Sequence, residues 1–172
     1  MHGVPNNAAT KKFVWDTSAL LNIKEPNGQG YSPGHSFYKD FSDGWFPGPY
    51  FNIYPAIAVF ELQASVSRAH REGRKMLRDF YIVSENSVVY PIDQELIYRC
   101  ADLFDKPGFS SLRGGDLIFA CIARVEDAYL VTLDKGFSTV ADHIRVIDLN
   151  DSRDSANYRN LFRDQSRGAD AL

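Results

Sequence analysis

The sequence predicts an α/β domain, a three-layer sandwich with a mainly parallel central sheet and helices on both faces. Three observations predict it. Short runs rich in β-branched and aromatic residues ("KFVWD", "YFNIYP", "SVVYPI", "YLVTL", "IRVIDL") alternate with longer segments of helical periodicity. Strands separated by helices are joined by right-handed crossovers, which makes the strands parallel. Of 172 residues, 44% are hydrophobic and 24% charged, the balance of one domain with a single core rather than of a disordered chain.

Taken in order, residues 1–11 are polar and expected to be flexible. "KFVWD" reads as a strand ending at Asp16. "TSALLNI" then turns helical, and Thr17 or Ser18 can cap it. Residues 24–34 are rich in Gly, Pro and Asn and read as a loop. "SPGHSFYKDFSDG" reads as a short helix, with Ser32 as cap and Gly44 near its stop, followed by the aromatic loop "WFPGPY". "YFNIYP" is a short strand. "AIAVFELQASVSRAHREG" is a helix closed by Gly73, with a further helix through "RKMLRDFYIV". "SVVYPI" is a strand. "DQELIYRCADLF" is a helix capped by Asp93, and "DKPGFSSLRGG" a loop. "DLIFACIARVEDA" is an apolar helix, "YLVTL" a strand, "DKGFSTVADH" a turn with a short helix, and "IRVIDL" the last strand. Residues 12–149 thus form one domain, and residues 150–172 a polar tail.

Composition narrows the function. The formal net charge of −3 argues against a surface coated in positive charge, while leaving room for a local basic groove. Cys100 and Cys121 fall inside expected helices and read as reduced, buried thiols. The four histidines are scattered, without zinc-ligand spacing. There is no signal-peptide pattern and no apolar run near the roughly 18 residues of a membrane span, so a cytoplasmic protein that does not meet a membrane is expected.

In a parallel α/β sheet, functional groups collect beyond the carboxyl ends of the strands. Asp16 follows "KFVW", and Asp134 follows "YLVTL". Asp116 opens the apolar helix after Gly114 and Gly115. Glu61 lies among Ile57, Val59, Phe60 and Leu62, with no basic residue within a helical turn. Singly, Asp16 and Asp116 read as helix N-caps and Asp134 as a turn-former. Glu61 on an apolar face calls for a distant partner. Together they pose an electrostatic problem. Neighbouring carboxylates about 5 Å apart repel by roughly 3 kcal/mol at an effective dielectric of 20. Either some are protonated near neutral pH, or a cation sits among them. Oxygen-only ligands select a hard divalent ion such as Mg²⁺ or Mn²⁺, and an acidic site of this kind points to phosphate chemistry.

"FVWDTSALL", "AIAVFELQAS", "RGGDLIFACIARVEDAYLVTLDKGF" and "IRVIDL" resemble, in order, the segments of a PIN domain, the fold of metal-dependent ribonucleases that includes VapC-type toxins. The resemblance spans about residues 12–149 and makes Asp16, Glu61, Asp116 and Asp134 the family's acidic positions, catalytic and metal-binding. It implies an Mg²⁺- or Mn²⁺-dependent endoribonuclease with an RNA substrate, a small antitoxin partner and a homodimer. Thr17 or Ser18 would contact a metal-bound water. Arg113 and Lys135, with Lys11 and Lys12, are candidates to hold the RNA backbone. Many members carry a further acid where this chain has Gly136, and the segment between Lys24 and Tyr54 is long for the family. The aromatic residues there (Tyr31, Phe37, Tyr38, Phe41, Trp45 and Phe46) are read as covering the core's edge or lining a groove. Apolar residues of 56–70 and 74–83 are read as core or as a dimer face.

Two other classes compete. A phospho-receiver or phosphatase-like domain also gathers acids around Mg²⁺, but a receiver wants paired acids on the first strand and a phosphatase an acid at position 18, where this chain has Ser18. A non-catalytic PIN-like scaffold would not need all four acids.

Overall fold

Five parallel strands form the centre of the computed structural model, which describes residues 10–23, 32–43, 49–74 and 85–150. They are β1 (Lys11–Trp15), β2 (Tyr50–Pro55), β3 (Ser87–Tyr90), β4 (Tyr129–Thr132) and β5 (Arg145–Asp148), in the order β3-β2-β1-β4-β5. The register sets Phe13 beside Asn52 on one side and Tyr129 on the other, and Leu130 beside Val146. β1 lies at the middle, and Phe13, Val14 and Trp15 are all buried, as expected of a strand covered on both faces. The flanking β4 is buried at every position. The edge strand β3 leaves Val88 and Val89 partly in solvent.

The helices are α1 (Thr17–Leu21), α2 (Pro33–Ser42), α3 (Ala56–Arg71), α4 (Gln94–Cys100) and α5 (Gly115–Val125). Short 3-10 turns cover Phe109–Ser111 and Lys135–Val140. From β1 the chain steps towards β3, then returns past β1 to β4 and β5. Crossovers of constant hand running in opposite directions deliver their helices to opposite faces. α1 accordingly packs with α2 and α3, and α4 with α5.

Local chemistry explains the boundaries. Ser32 caps α2 by accepting the His35 N–H, and Asp93 caps α4 by accepting the Leu96 N–H at 3.0 Å. Gly73 closes α3 with φ +69°, a backbone angle that suits glycine. α1 and α2 meet closely at Gly34, whose N–H donates to Asn22 Oδ1 at 2.8 Å. A Cβ there would lie 2.9 Å from the Ala19 carbonyl oxygen. α4 is shorter than the sequence predicts, and after Cys100 the chain continues as turns.

Phe37 is fully buried and packs edge-on against Phe13 and Trp15, with centroids 6.0 and 5.4 Å apart. The aromatic chain from α2 therefore covers the core. Trp15 satisfies its ring N–H on Asn52 Oδ1 at 3.0 Å. Cys100 and Cys121 are free, buried thiols, as the sequence predicts. Glu126, at the end of α5, accepts from Lys12 at 2.9 Å, from Tyr90 at 2.9 Å and from Arg99 at 2.8 Å. The expected helix through 74–83 (Arg74 apart), Tyr31, Trp45 and Phe46, the Phe41 side chain, residues 1–9 and the tail from 151 lie outside the described residues. No described helix is long and apolar enough to cross a membrane.

Candidate active site

The strand order reverses between β1 and β4, and a crevice opens at such a switch point beyond the carboxyl ends of the strands. Asp16 leaves β1 here, and Asp134 lies two residues past the end of β4. The Asp16 N–H still bonds to the Val131 carbonyl at 3.1 Å, so the pairing of β1 with β4 carries Asp16 to the rim.

Asp16 is 3% exposed and fully engaged. Its Oδ1 accepts the Ala19 N–H at 2.7 Å, so of the caps the sequence offers for α1 it is Asp16 that serves, and not Thr17 or Ser18. The Ser18 hydroxyl bonds to Asp16 Oδ1 at 2.8 Å and Oδ2 at 3.0 Å, and Thr132 donates to Oδ2 at 2.5 Å. Ser18 Oγ also accepts the Leu133 N–H at 3.0 Å, and Thr132 Oγ1 the Asp134 N–H at 2.8 Å. Two hydroxyls thus stitch the end of β1 to the end of β4. Burial pushes the Asp16 carboxyl above its ordinary value. The bonds from Thr132, Ala19 and Ser18 pull it down, and the Asp134 charge pushes it up again.

Asp134 is exposed and accepts the Gly136 N–H at 2.7 Å, so it is the turn-former the sequence predicts as well as a rim carboxylate. Asp116 is not the cap of α5. Gly114 holds that position with φ +55°, and Asp116 sits in the first turn, where a negative charge meets the positive end of the helix dipole. Its carboxyl is raised first by burial, then by Asp134, then by Glu61.

Glu61 has the distant partner that the sequence calls for, but not the apolar surrounding. It is exposed, next to Phe60 at 77% exposure, while Ala58 and Leu62 carry the buried face of α3. Residues one or two apart on a helix point in different directions, so apolar neighbours in sequence did not make an apolar surrounding. Its partner is the Thr17 hydroxyl, which bonds to Oε2.

The four acids form one electrostatic group. Asp134 acts on both Asp16 and Asp116, and Glu61 on Asp116. Among the described residues no Lys or Arg forms an ion pair with any of them. Nor do any three described His, Cys, Asp or Glu side chains close up as ready metal ligands. Asp16, Asp134 and Glu61 are each held by a hydroxyl or N–H, and Asp116 lies in the first turn of α5. The donor set suits Mg²⁺, which keeps several waters and takes one or two carboxylates directly. Arg113 and Lys135 are exposed beside Asp116 and Asp134. Lys12 is spent on Glu126 at the opposite end of β1. Lys11, four residues before Trp15, starts the strand about 13 Å from where the acids gather, which takes both lysines away from the crevice.

Comparison with known proteins bears on the family and the fold. The PIN-domain family profile matches residues 13–143. The chain belongs to the PIN-domain family. Among solved structures, the PIN domain here is similar to VapBC2 from Rickettsia felis, crystallised bound to a DNA fragment from its promoter, with TM-score 0.55 and 17% identity. That match covers 79% of this chain and 97% of the other. FitAcB from Neisseria gonorrhoeae matches at TM-score 0.49 and 14% identity, over 80% and 97% of the two chains. No curated protein sequence matches. PIN domains are generally nucleases. Sequence reasoning missed Thr132. The available signal was a hydroxyl ending the otherwise apolar run "YLVT".

Proposed function

We propose that this PIN domain is a divalent-metal-dependent endoribonuclease and the toxin of a toxin–antitoxin pair. The observation that carries the reading is the acid group at the switch point, in which Asp134 raises both Asp16 and Asp116 and, among the described residues, no Lys or Arg is paired with any member. Asp16, Asp116 and Asp134 hold Mg²⁺ or Mn²⁺ directly or through water, and Glu61 ligates or positions a water, with Thr17 holding its carboxylate. When bound, the ion lowers the pKa of a water and offsets charge on the phosphodiester oxygens. The hydroxyls of Ser18 and Thr132 favour the ionised form of Asp16 and hold its carboxylate in place. Arg113 and Lys135 hold the RNA backbone. The chain works as a homodimer and is silenced by a small antitoxin that covers the crevice. The likeness to the chain of VapBC2 supports the toxin assignment at the level of fold.

The test is cleavage of single-stranded and structured RNAs by the purified chain in excess Mg²⁺, beside Asp16→Asn and EDTA controls. Wild-type activity that disappears in both controls is expected. Equal cleavage by Asp16→Asn refutes the assignment of the site. No cleavage of any RNA at any Mg²⁺ or Mn²⁺ concentration leaves a non-catalytic scaffold as the better reading.

A further inference from the structure

We infer that Thr132, which is not one of the four acids, is the positioning residue that sets Asp16 and Asp134 against each other for metal binding; the inference rests on the metal-dependent reading above. Thr132 ends β4 and is 0% exposed. Its hydroxyl has one proton to give and lone pairs to receive with. The Asp134 N–H at 2.8 Å can only donate, so the lone pairs face it, and the proton goes to Asp16 Oδ2 at 2.5 Å. One oxygen atom therefore spans two acids delivered by different strands, and it ties a side chain on one to the backbone on the other.

The surroundings leave Thr132 little freedom to yield. Its carbonyl accepts the Leu149 N–H at 2.8 Å, which fixes the backbone to the exit of β5. Asn150 Nδ2 bonds to the next carbonyl, that of Leu133. Ser18 cannot replace it, because its hydroxyl already faces both Asp16 oxygens and its oxygen takes the Leu133 N–H. Thr132 is fully buried, with its proton given to Asp16 and a lone pair facing the Asp134 N–H, so it is not read as a ligand itself. It acts through Asp16 and Asp134, as partners behind metal-binding carboxylates do.

The experiment compares the wild-type chain, Thr132→Val and Thr132→Ser. Valine keeps the shape and removes the hydroxyl, whereas serine keeps the hydroxyl. Circular dichroism in EDTA reports the fold, and the free Mn²⁺ signal in electron paramagnetic resonance reports binding without any turnover. The expected result is a folded Thr132→Val whose Mn²⁺ affinity falls by about 10- to 100-fold, with Thr132→Ser close to wild type. Equal Mn²⁺ binding by wild type and Thr132→Val overturns the role of Thr132 and leaves the metal site standing. Thr132→Val that fails to fold, with Thr132→Ser folded and binding normally, makes the hydroxyl a structural group and also overturns the inference. A wild-type chain that takes up no Mn²⁺ sinks the metal reading and this inference with it.

Discussion

Replacing Asp16 by Asn separates the cost of a buried charge from its use. Asparagine caps helices as well as aspartate, and its oxygen can keep the Ala19 N–H now at 2.7 Å. The loss falls on the Thr132 bond, a charge-assisted contact of 2.5 Å worth about 1.5–3 kcal/mol. Against it stands the relief of a carboxylate that is 3% exposed and repelled by Asp134. In EDTA at neutral pH the two effects oppose, and the variant is expected within about 2 kcal/mol of wild type. The pH dependence identifies the charge. Folded Asp16 has a raised pKa, so the folded state holds its proton longer than the unfolded chain does. Its contribution is fully present below the ordinary aspartate value of about 3.9 and is lost as pH rises through the folded value. Within that window wild type loses about 1.4 kcal/mol per pH unit relative to the variant. Urea unfolding of both proteins in EDTA, from about pH 3.5 to about pH 7.5, measures the difference. Saturating Mg²⁺ should then stabilise wild type by about 2.7 kcal/mol at a hundredfold excess over its dissociation constant, and the variant by less. A difference that stays flat with pH, or equal stabilisation of both by Mg²⁺, refutes the reasoning.

Three further outcomes are expected. Glu126→Ala removes the acceptor shared by Lys12, Tyr90 and Arg99; since Lys12 and Arg99 are each more than a third exposed, the loss is about 1–2 kcal/mol in urea unfolding, with cleavage retained. Burial lifts the Glu126 carboxyl but its three partners hold it below its ordinary value, so its contribution is present above the glutamate range and is lost as pH falls through the folded value. Gly108→Ala places a Cβ 2.2 Å from the Thr139 carbonyl oxygen at a residue with φ +88°, and should cost about 2–4 kcal/mol in the same assay, loosening the turn that follows Asp134. Arg113→Ala with Lys135→Ala should weaken RNA binding and lower the slope of log affinity against log salt by about 0.7 per lost phosphate contact; an unchanged slope removes both residues from the RNA interface.

The strands were legible because a parallel strand buried on both faces needs an unbroken apolar run, and Phe13–Trp15 and Tyr129–Val131 supply one. The acid positions at their ends followed from the same rule. The surroundings of Glu61 were misread because a helix rotates its neighbours away: the residues beside it in sequence are not those beside it in space. The cap of α1 stayed open in sequence among three adjacent capping residues, because the choice depends on backbone angles at Asp16.

By itself, then, the chain's order of residues determined a parallel α/β sheet and marked acids where its strands end, since burial and strand direction leave a periodic trace in sequence. Only the tertiary structure decided that Ser18 and Thr132 bind Asp16 across the junction of β1 and β4, and that Asp134 acts on both Asp16 and Asp116. Asp16 and Thr132 are 116 positions apart. A hydrogen bond or a Coulomb interaction acts over a few ångströms of space, and only the packed sheet sets that distance.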